Sequence, residues 1–181
     1  MIRSALRLQQ GDPAGARADA QESLGLAPDH SSRCSAAFRV TGAALGAEGR
    51  WERAAEAATT ALYHAVSSED RSQAYKLRGI AHEALGHPNR ALEDLRKAER
   101  ENRTGDVVYL QGKMLEAQAR PVEAAACYRI SQKEAGCAEY SAAAEKRLEV
   151  LGKAKPGPPP GLESQEWLWC CQDITPIYYL R

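Results

Sequence analysis

The stretch that decides the fold is residues 45–54, which read LGAEGRWERA. Small residues at the end of one helix lead to Gly49, then to Trp51, and Ala54 follows three residues after the tryptophan. Glycine ends a helix readily because it adopts the left-handed backbone conformation without the steric penalty of a Cβ. The stretch therefore predicts a helix, a short turn and a second helix.

The same pattern occurs three more times, as LQQGDPAGA at residues 8–16, HEALGHPNRA at residues 82–91 and LEAQARPVEA at residues 115–124. The last alanines of the four stretches are 38, 37 and 33 residues apart along the chain. Three stretches have proline where the remaining one has Trp51. Proline suits the first turn of a helix because its missing N–H leaves no donor unpaired. A repeat of this period predicts a stack of helical hairpins.

The first helix of units two to four carries a second repeated glycine, at Gly42, Gly79 and Gly112. A bulky residue lies four positions before each glycine, and this spacing puts both on one helical face. The bulky residues are Phe38, Tyr75 and Val108. Glycine inside a helix costs up to about 1 kcal/mol relative to alanine. We therefore predict that each glycine lets the two helices of its hairpin approach closely.

Taken together, the bulky residue, the helical glycine, the turn glycine and the alanine of the second helix resemble the tetratricopeptide repeat. The resemblance covers about residues 1–136, with Ser4 in place of the first helical glycine. Two of the spacings exceed the usual repeat length of about 34 residues. The resemblance implies an all-α, right-handed superhelical solenoid of about four helical hairpins.

We predict nine helices in all. The ninth has one apolar stripe, typical of a helix that covers the end of a repeat array. Its stripe consists of Tyr140, Ala144, Leu148 and Leu151. The predicted bounds are 1–10, 13–25, 31–47, 51–65, 69–85, 88–101, 105–118, 121–134 and 138–151. The first helix begins about one turn later than the first helices of units two to four do, and no polar capping helix precedes it. We therefore expect the chain to be a fragment or a shorter form of a longer array.

The chain divides into an array with its capping helix at residues 1–151, a Pro/Gly linker at residues 152–161 and an aromatic-rich tail at residues 162–181. Four prolines and three glycines in ten residues exclude helix in the linker. The tail contains Trp167, Trp169, Tyr178 and Tyr179. Three interpretations stay open for it: a docking peptide for a partner or for the array's own groove, a short strand or hairpin, or a poorly ordered end.

Charge and cysteine content narrow the class of protein. Lys+Arg and Asp+Glu both number 24, so the formal net charge is zero, which argues against nucleic acid or anionic membranes as partners held by bulk charge. The five cysteines are odd in number, include no Cys-x-x-Cys pair and follow no secretion signal, so we expect reduced thiols and a cytoplasmic location. No stretch approaches the ~18 consecutive apolar residues of a membrane-spanning helix.

No sequence pattern of a catalytic, cofactor or metal site occurs. The chain has no Gly-x-Ser-x-Gly elbow, no phosphate-binding loop and no dinucleotide fingerprint. His82 and His87 are five residues apart, which does not place them on one helical face as a zinc pair needs. We therefore expect a protein that is not an enzyme and that uses neither a cofactor nor a metal.

The resemblance also implies a function, because the first helices of successive hairpins line a concave surface that binds other proteins. At the family's usual ligand positions this chain has Arg39, Lys76, Leu77, Ile80, Tyr109, Leu110 and Lys113. The lysines favour an acidic or phosphorylated ligand. The leading hypothesis is a non-catalytic protein–protein interaction scaffold. The alternative is a structural segment of a longer array that self-associates or assembles through its exposed end.

Overall fold

The computed structural model describes residues 2–26, 31–134 and 138–153, and within these ranges the regular structure consists of nine α-helices. They are α1 Ile2–Gln9, α2 Pro13–Gly25, α3 Ser32–Ala47, α4 Trp51–Tyr63, α5 Ser68–Ala84, α6 Pro88–Glu101, α7 Gly105–Ala117, α8 Pro121–Lys133 and α9 Ala138–Lys153. Every predicted helix is confirmed, with bounds that differ by two residues at most. The linker is predicted to begin at residue 152, but α9 continues through Lys153, because the prolines of this stretch begin only at Pro156. The rest of the predicted linker and the whole tail lie outside the described residues.

Local side-chain chemistry explains where several helices begin. Asp12 accepts a hydrogen bond from the backbone N–H of Gly15 at 2.8 Å, and Ser31 accepts one from Cys34 at 3.2 Å. Ser67 and Asp70 satisfy each other's backbone N–H groups at the start of α5, which is a capping box. Such caps satisfy amide groups that have no partner within the helix. Proline is the first residue of α2, α6 and α8, as the sequence predicts.

The turn between the two helices of each hairpin needs one residue with positive φ. Glycine occupies this position in the first three hairpins, with φ of 77° at Gly11, 76° at Gly49 and 75° at Gly86. The fourth hairpin has Ala119 there, with φ of 56°. A non-glycine residue in this region is strained because its Cβ crowds the following carbonyl oxygen.

Replacing Ala119 by glycine should therefore raise the free energy of unfolding. Relief of the left-handed strain outweighs the entropy that glycine gains in the unfolded chain, which leaves a net gain of about 0.5–1 kcal/mol. Urea denaturation followed by circular dichroism measures the difference. Gly86→Ala is the matched control and should lose a similar amount, whereas a loss of stability in Ala119→Gly would contradict the strain at this turn.

The repeated helical glycines lie where the helices approach most closely, which confirms the prediction for them. A Cβ at Gly112 would lie 2.7 Å from Cε1 of Tyr128, and one at Gly79 would lie 3.1 Å from Cγ of Leu95. At Gly42 the nearest side-chain atom belongs to Leu77 of the next hairpin, at 2.8 Å. In the first hairpin Ser4 is fully buried at the equivalent position.

Small side chains fill most of the core between the two helices of the first two hairpins. The alanines that the sequence pattern selects are all fully buried, namely Ala16, Ala54, Ala91 and Ala124. Larger apolar residues gather towards the last two hairpins, where Leu95, Met114, Leu115 and Tyr128 form one cluster with Ala144 of α9. Helix α9 thus covers the end of the array, while its residues Glu145, Lys146 and Glu149 are exposed.

An ion pair links the helices of alternate hairpins at equivalent positions. Arg3 contacts Asp19 at 2.7 Å in the first hairpin, and Arg78 contacts Asp94 through two bonds of 2.8 Å in the third. The carboxylates are buried in both cases, but the Arg3 side chain is 63% exposed and that of Arg78 only 21%. The third hairpin therefore has a more deeply buried pair.

Candidate partner-binding surface

The odd-numbered helices form the inner side of the array. Helix α3 packs against both α1 and α5, and α9 packs against α7, whereas the even-numbered helices pack on odd-numbered neighbours and not on one another. Helices that approach each other on one side and diverge on the other give a curved stack. The inner, concave face is therefore made by α1, α3, α5, α7 and α9.

Ion pairs join consecutive helices along this face. Lys76 of α5 donates to Asp106 of α7 at 2.7 Å, and Lys113 of α7 donates to Glu83 of α5 at 3.1 Å. Arg147 of α9 binds Glu116 of α7. The backbones of α5 and α7 lie farther apart than those of α3 and α5, so side chains make the direct link between these two helices. We call these three pairs the inner ladder.

The pair between Lys76 and Asp106 is firmly held. Burial alone would raise the pKa of Asp106, but hydrogen bonds from Lys76 and Thr104 and the charge of Lys76 bring that pKa below its usual value. The carboxylate is therefore ionised at neutral pH. The charge of Lys76 is accordingly engaged within the array.

Arg39 of α3, like Lys76, lies beside an acidic residue of the next inner helix. Its guanidinium lies 3.8 Å from Asp70, and burial lowers the pKa of Arg39, although it stays charged at neutral pH. Asp70 also accepts a 2.6 Å hydrogen bond from Ser32 of α3, so the N-terminal ends of α3 and α5 share one polar cluster. Arg39 thus faces an acidic residue of its own array.

Three tyrosines form an aromatic cluster at the inner face of the last hairpin. The ring of Tyr109 lies 5.4 Å from that of Tyr128 and 5.3 Å from that of Tyr140, in tilted arrangements that aromatic pairs favour. Tyr128 is fully buried and its hydroxyl donates to Glu116 at 3.0 Å, and burial raises the pKa of Tyr128. Tyr109 is half-buried, and both Tyr109 and Ile80 of α5 pack against the apolar core that contains Tyr128.

The structure brings four of the seven residues selected from the sequence to one surface, between α5 and α9. They are Lys76, Ile80, Tyr109 and Lys113. Leu110 is only 8% exposed because it belongs to the core, and Leu77 is half-buried with its Cδ2 atom beside Gly42. These two leucines pack helices together, so we do not include them in the surface.

Sequence reasoning did not select Glu83, Glu116 or Arg147, which complete the inner ladder. A signal was present, because the paired residues are 30, 30 and 31 positions apart. This separation is about one helical turn less than a full repeat. Two oppositely charged residues with this separation lie on neighbouring inner helices, where their side chains can meet.

The chain has the tetratricopeptide-repeat fold. It superposes with a TM-score of 0.68 on TTC0263, a thermophilic TPR protein of Thermus thermophilus, at 17% identity over 81% of this chain and 78% of that one. The Arabidopsis OM64 TPR domain gives 0.58 at 23% identity over 66% and 97% of the two chains. MamA gives 0.57 at 15% identity over 84% and 96%. No protein-family model and no curated protein matches the chain.

Among the described helices, none has the length and apolar character needed to cross a membrane. The described residues also contain no cluster of three or more His, Cys, Asp or Glu side chains that could hold a metal ion. On the inner face, the half-buried Tyr109 is bordered by the ion pairs of the inner ladder, and the Nε atom of Arg39 is buried without a hydrogen-bond partner in the described part of the chain.

Proposed function

We propose that the chain is a non-catalytic protein-interaction scaffold that binds an extended segment of a partner along the inner face between α5 and α9. The observation that carries the proposal is the half-buried Tyr109, which contacts two other tyrosine rings and, like Ile80, packs against the core from one of the inner helices. Aromatic side chains with a polar tip contribute much of the affinity in many protein interfaces. The tetratricopeptide-repeat fold supports a scaffold role in general.

The ligand chemistry depends on how easily the lysines exchange their partners. The pair between Lys113 and Glu83 has side chains 43% and 33% exposed. Exposed ion pairs contribute about 0–1 kcal/mol, so a ligand carboxylate can replace Glu83 at little cost. Lys76 is held more firmly, since both members of its pair are half-buried. We therefore propose an acidic segment that meets Lys113 and Tyr109, with Lys76 acting mainly to hold α5 and α7 together.

A peptide selection on the full chain tests the proposal. Peptides from a random phage-displayed library would be selected on the immobilised chain, and the affinity of the best one measured by fluorescence polarisation. The triple change Lys76→Glu, Tyr109→Ala and Lys113→Glu should weaken binding at least about 30-fold, because truncation of an aromatic hot spot alone costs about 2 kcal/mol. Thermal melts would establish that the variant stays folded. Lys113→Glu alone, which touches only an exposed pair, should weaken binding in the same direction.

The matched control changes two exposed charges on the outer side of the array. Arg53→Glu and Glu56→Lys on α4 keep the net charge and lie away from the inner face. This control should leave the peptide affinity within about twofold, as expected for sites that share no contacts with the ligand. A loss equal to that of the triple change would assign binding to another surface.

A specific observation also favours self-association through α1. Ile2 is 82% exposed and Leu6 is 50% exposed, on the same side of the helix. The equivalents of Leu6 in the later hairpins are buried against the preceding hairpin, namely Ala44, Ala81 and Met114. We propose this end as the contact in the alternative function. Sedimentation at rising concentration separates the two functions, because only self-association makes the mass depend on concentration.

A further inference from the structure

The outer side of the array has an open cavity of about 660 Å³ between the third and fourth hairpins. Its lining includes Leu92, Arg96 and Arg100 of α6, together with Arg120 in the turn between α7 and α8. The inner surface proposed above lies on the other side of the array. We call this feature the arginine cavity.

The two acidic residues of the arginine cavity already have partners. Glu93 accepts a 2.6 Å bond from Lys97, and Glu99 accepts a 2.9 Å bond from Gln111. Arg120 is likewise engaged, because it binds both carboxylate oxygens of Glu123. The charges that are left for a ligand are therefore those of arginines elsewhere in the lining.

Arg96 and Arg100 supply these charges. They lie one turn apart on α6, both are exposed, and within the part of the chain that the structure describes neither makes an ion pair or a hydrogen bond. Two guanidinium groups one helical turn apart suit a ligand that combines carboxylates with aromatic rings. Carboxylates accept charge-assisted hydrogen bonds from arginine, and aromatic faces stack on it.

A segment of this chain has that chemistry. Residues 163–169 read ESQEWLW, in which two glutamates are followed by two tryptophans that flank a leucine. Glu163 and Glu166 are three residues apart, and the basic residues nearest to them in sequence are Lys155 and Arg181. We propose that residues 163–169 of the tail bind in the arginine cavity of their own array.

The end of α9 lies on the side of the array that the segment has to reach. Tyr109 and Tyr140 are in contact, and so are Glu116 and Arg147, seven residues further on in each helix. Contacts in the same order along both helices mean that α9 runs parallel to α7. Its C-terminal end therefore lies at the end of the array where α7 turns into α8.

The connecting chain is long enough for this path. Residues 154–162 separate α9 from the segment, and nine residues of proline-rich chain span about 28 Å at ~3.1 Å per residue. The α9 helix is one hairpin beyond the cavity, and neighbouring packed helices are about 8–10 Å apart. A tether of this length also gives an effective concentration in the millimolar range, which favours the array's own tail over a free ligand.

The test uses the full chain and the three tryptophan indole N–H signals in a nitrogen–proton correlation spectrum. Trp51 belongs to α4, so it reports on the array, whereas Trp167 and Trp169 report on the tail. The double change Arg96→Glu and Arg100→Glu should move both tail signals to the positions of free tryptophan and leave the Trp51 signal in place. Arg33→Glu with Arg53→Glu, at two exposed arginines of α3 and α4, should move neither tail signal.

A charge exchange distinguishes direct pairing from an indirect effect. Adding Glu163→Arg and Glu166→Arg to the double change should return the tail signals towards their original positions. Tail signals at free-tryptophan positions in the unchanged chain would overturn the proposal, as would a charge exchange without effect. Signals that shift with protein concentration would also overturn it, because they would place the tail on a second copy. None of these results depends on ligand binding at the inner face.

Discussion

Replacing Gly112 by alanine is expected to lower the free energy of unfolding by about 1–3 kcal/mol, the usual cost of overpacking a core. The new Cβ would lie 2.7 Å from Cε1 and 2.9 Å from Cδ1 of Tyr128. That ring is fully buried, packs on Tyr109 and holds Glu116 through its hydroxyl, so it has little freedom to move. Alanine is the better helix former by about 1 kcal/mol, and the steric cost has to exceed this gain for the sign to hold.

Urea denaturation measures this change against a control within the same protein. Gly152 lies near the end of α9 with no atom within 4 Å of an added Cβ, so Gly152→Ala should have no steric cost and a small gain in stability. Opposite signs at the two positions would support close helix approach at Gly112. A neutral or stabilising Gly112→Ala would refute it.

Replacing Asp94 by alanine is expected to cost about 3 kcal/mol of unfolding free energy, the lower end of the range for breaking a buried ion pair. The change removes two 2.8 Å bonds and leaves the half-buried guanidinium of Arg78 without its carboxylate. Arg78 keeps a 3.2 Å bond to Thr59 and a position over the ring of Tyr75, which replace only part of the loss.

The first hairpin provides the comparison for this prediction. Asp19→Ala removes the equivalent carboxylate, but its partners Arg3 and Arg7 are 63% and 36% exposed and recover their hydration, so the loss should be clearly smaller than at Asp94. The double change Arg78→Met and Asp94→Leu should recover most of the stability lost in Asp94→Ala, because no charge is left buried. Equal losses at Asp19 and Asp94 would contradict a role for burial.

The fold was predictable because backbone requirements select particular residue types. Positive φ in a turn selects glycine at Gly11, Gly49 and Gly86, and close helix approach selects glycine and alanine at positions that recur with the repeat. These residues are recognisable in a single sequence. The exception at Ala119 is also visible in the sequence, because it holds the same place in residues 115–124 as Gly49 does in residues 45–54.

The surface was harder to predict because it depends on which side chains meet. The repeat places Lys76 and Lys113 on inner helices, but their ion pairs with Asp106 and Glu83 join residues 30 positions apart and depend on the reach of both side chains. Leu110 follows Tyr109 directly in the sequence. Because an α-helix rotates by about 100° per residue, Leu110 points into the core and not to the inner face. A small error in helical rotation is enough to exchange a surface residue for a buried one.

Two ion pairs of the inner ladder make the junction between the third and fourth hairpins sensitive to the salt concentration. Where one hairpin meets the next, α6 and α7 of the third and fourth hairpins are the least closely packed pair of helices. On the inner face, two lysine–carboxylate pairs bridge this junction. Dissolved salt weakens such pairs, most strongly the exposed pair of Lys113 and Glu83. We therefore expect the contact between α5 and α7 to loosen as the ionic strength rises.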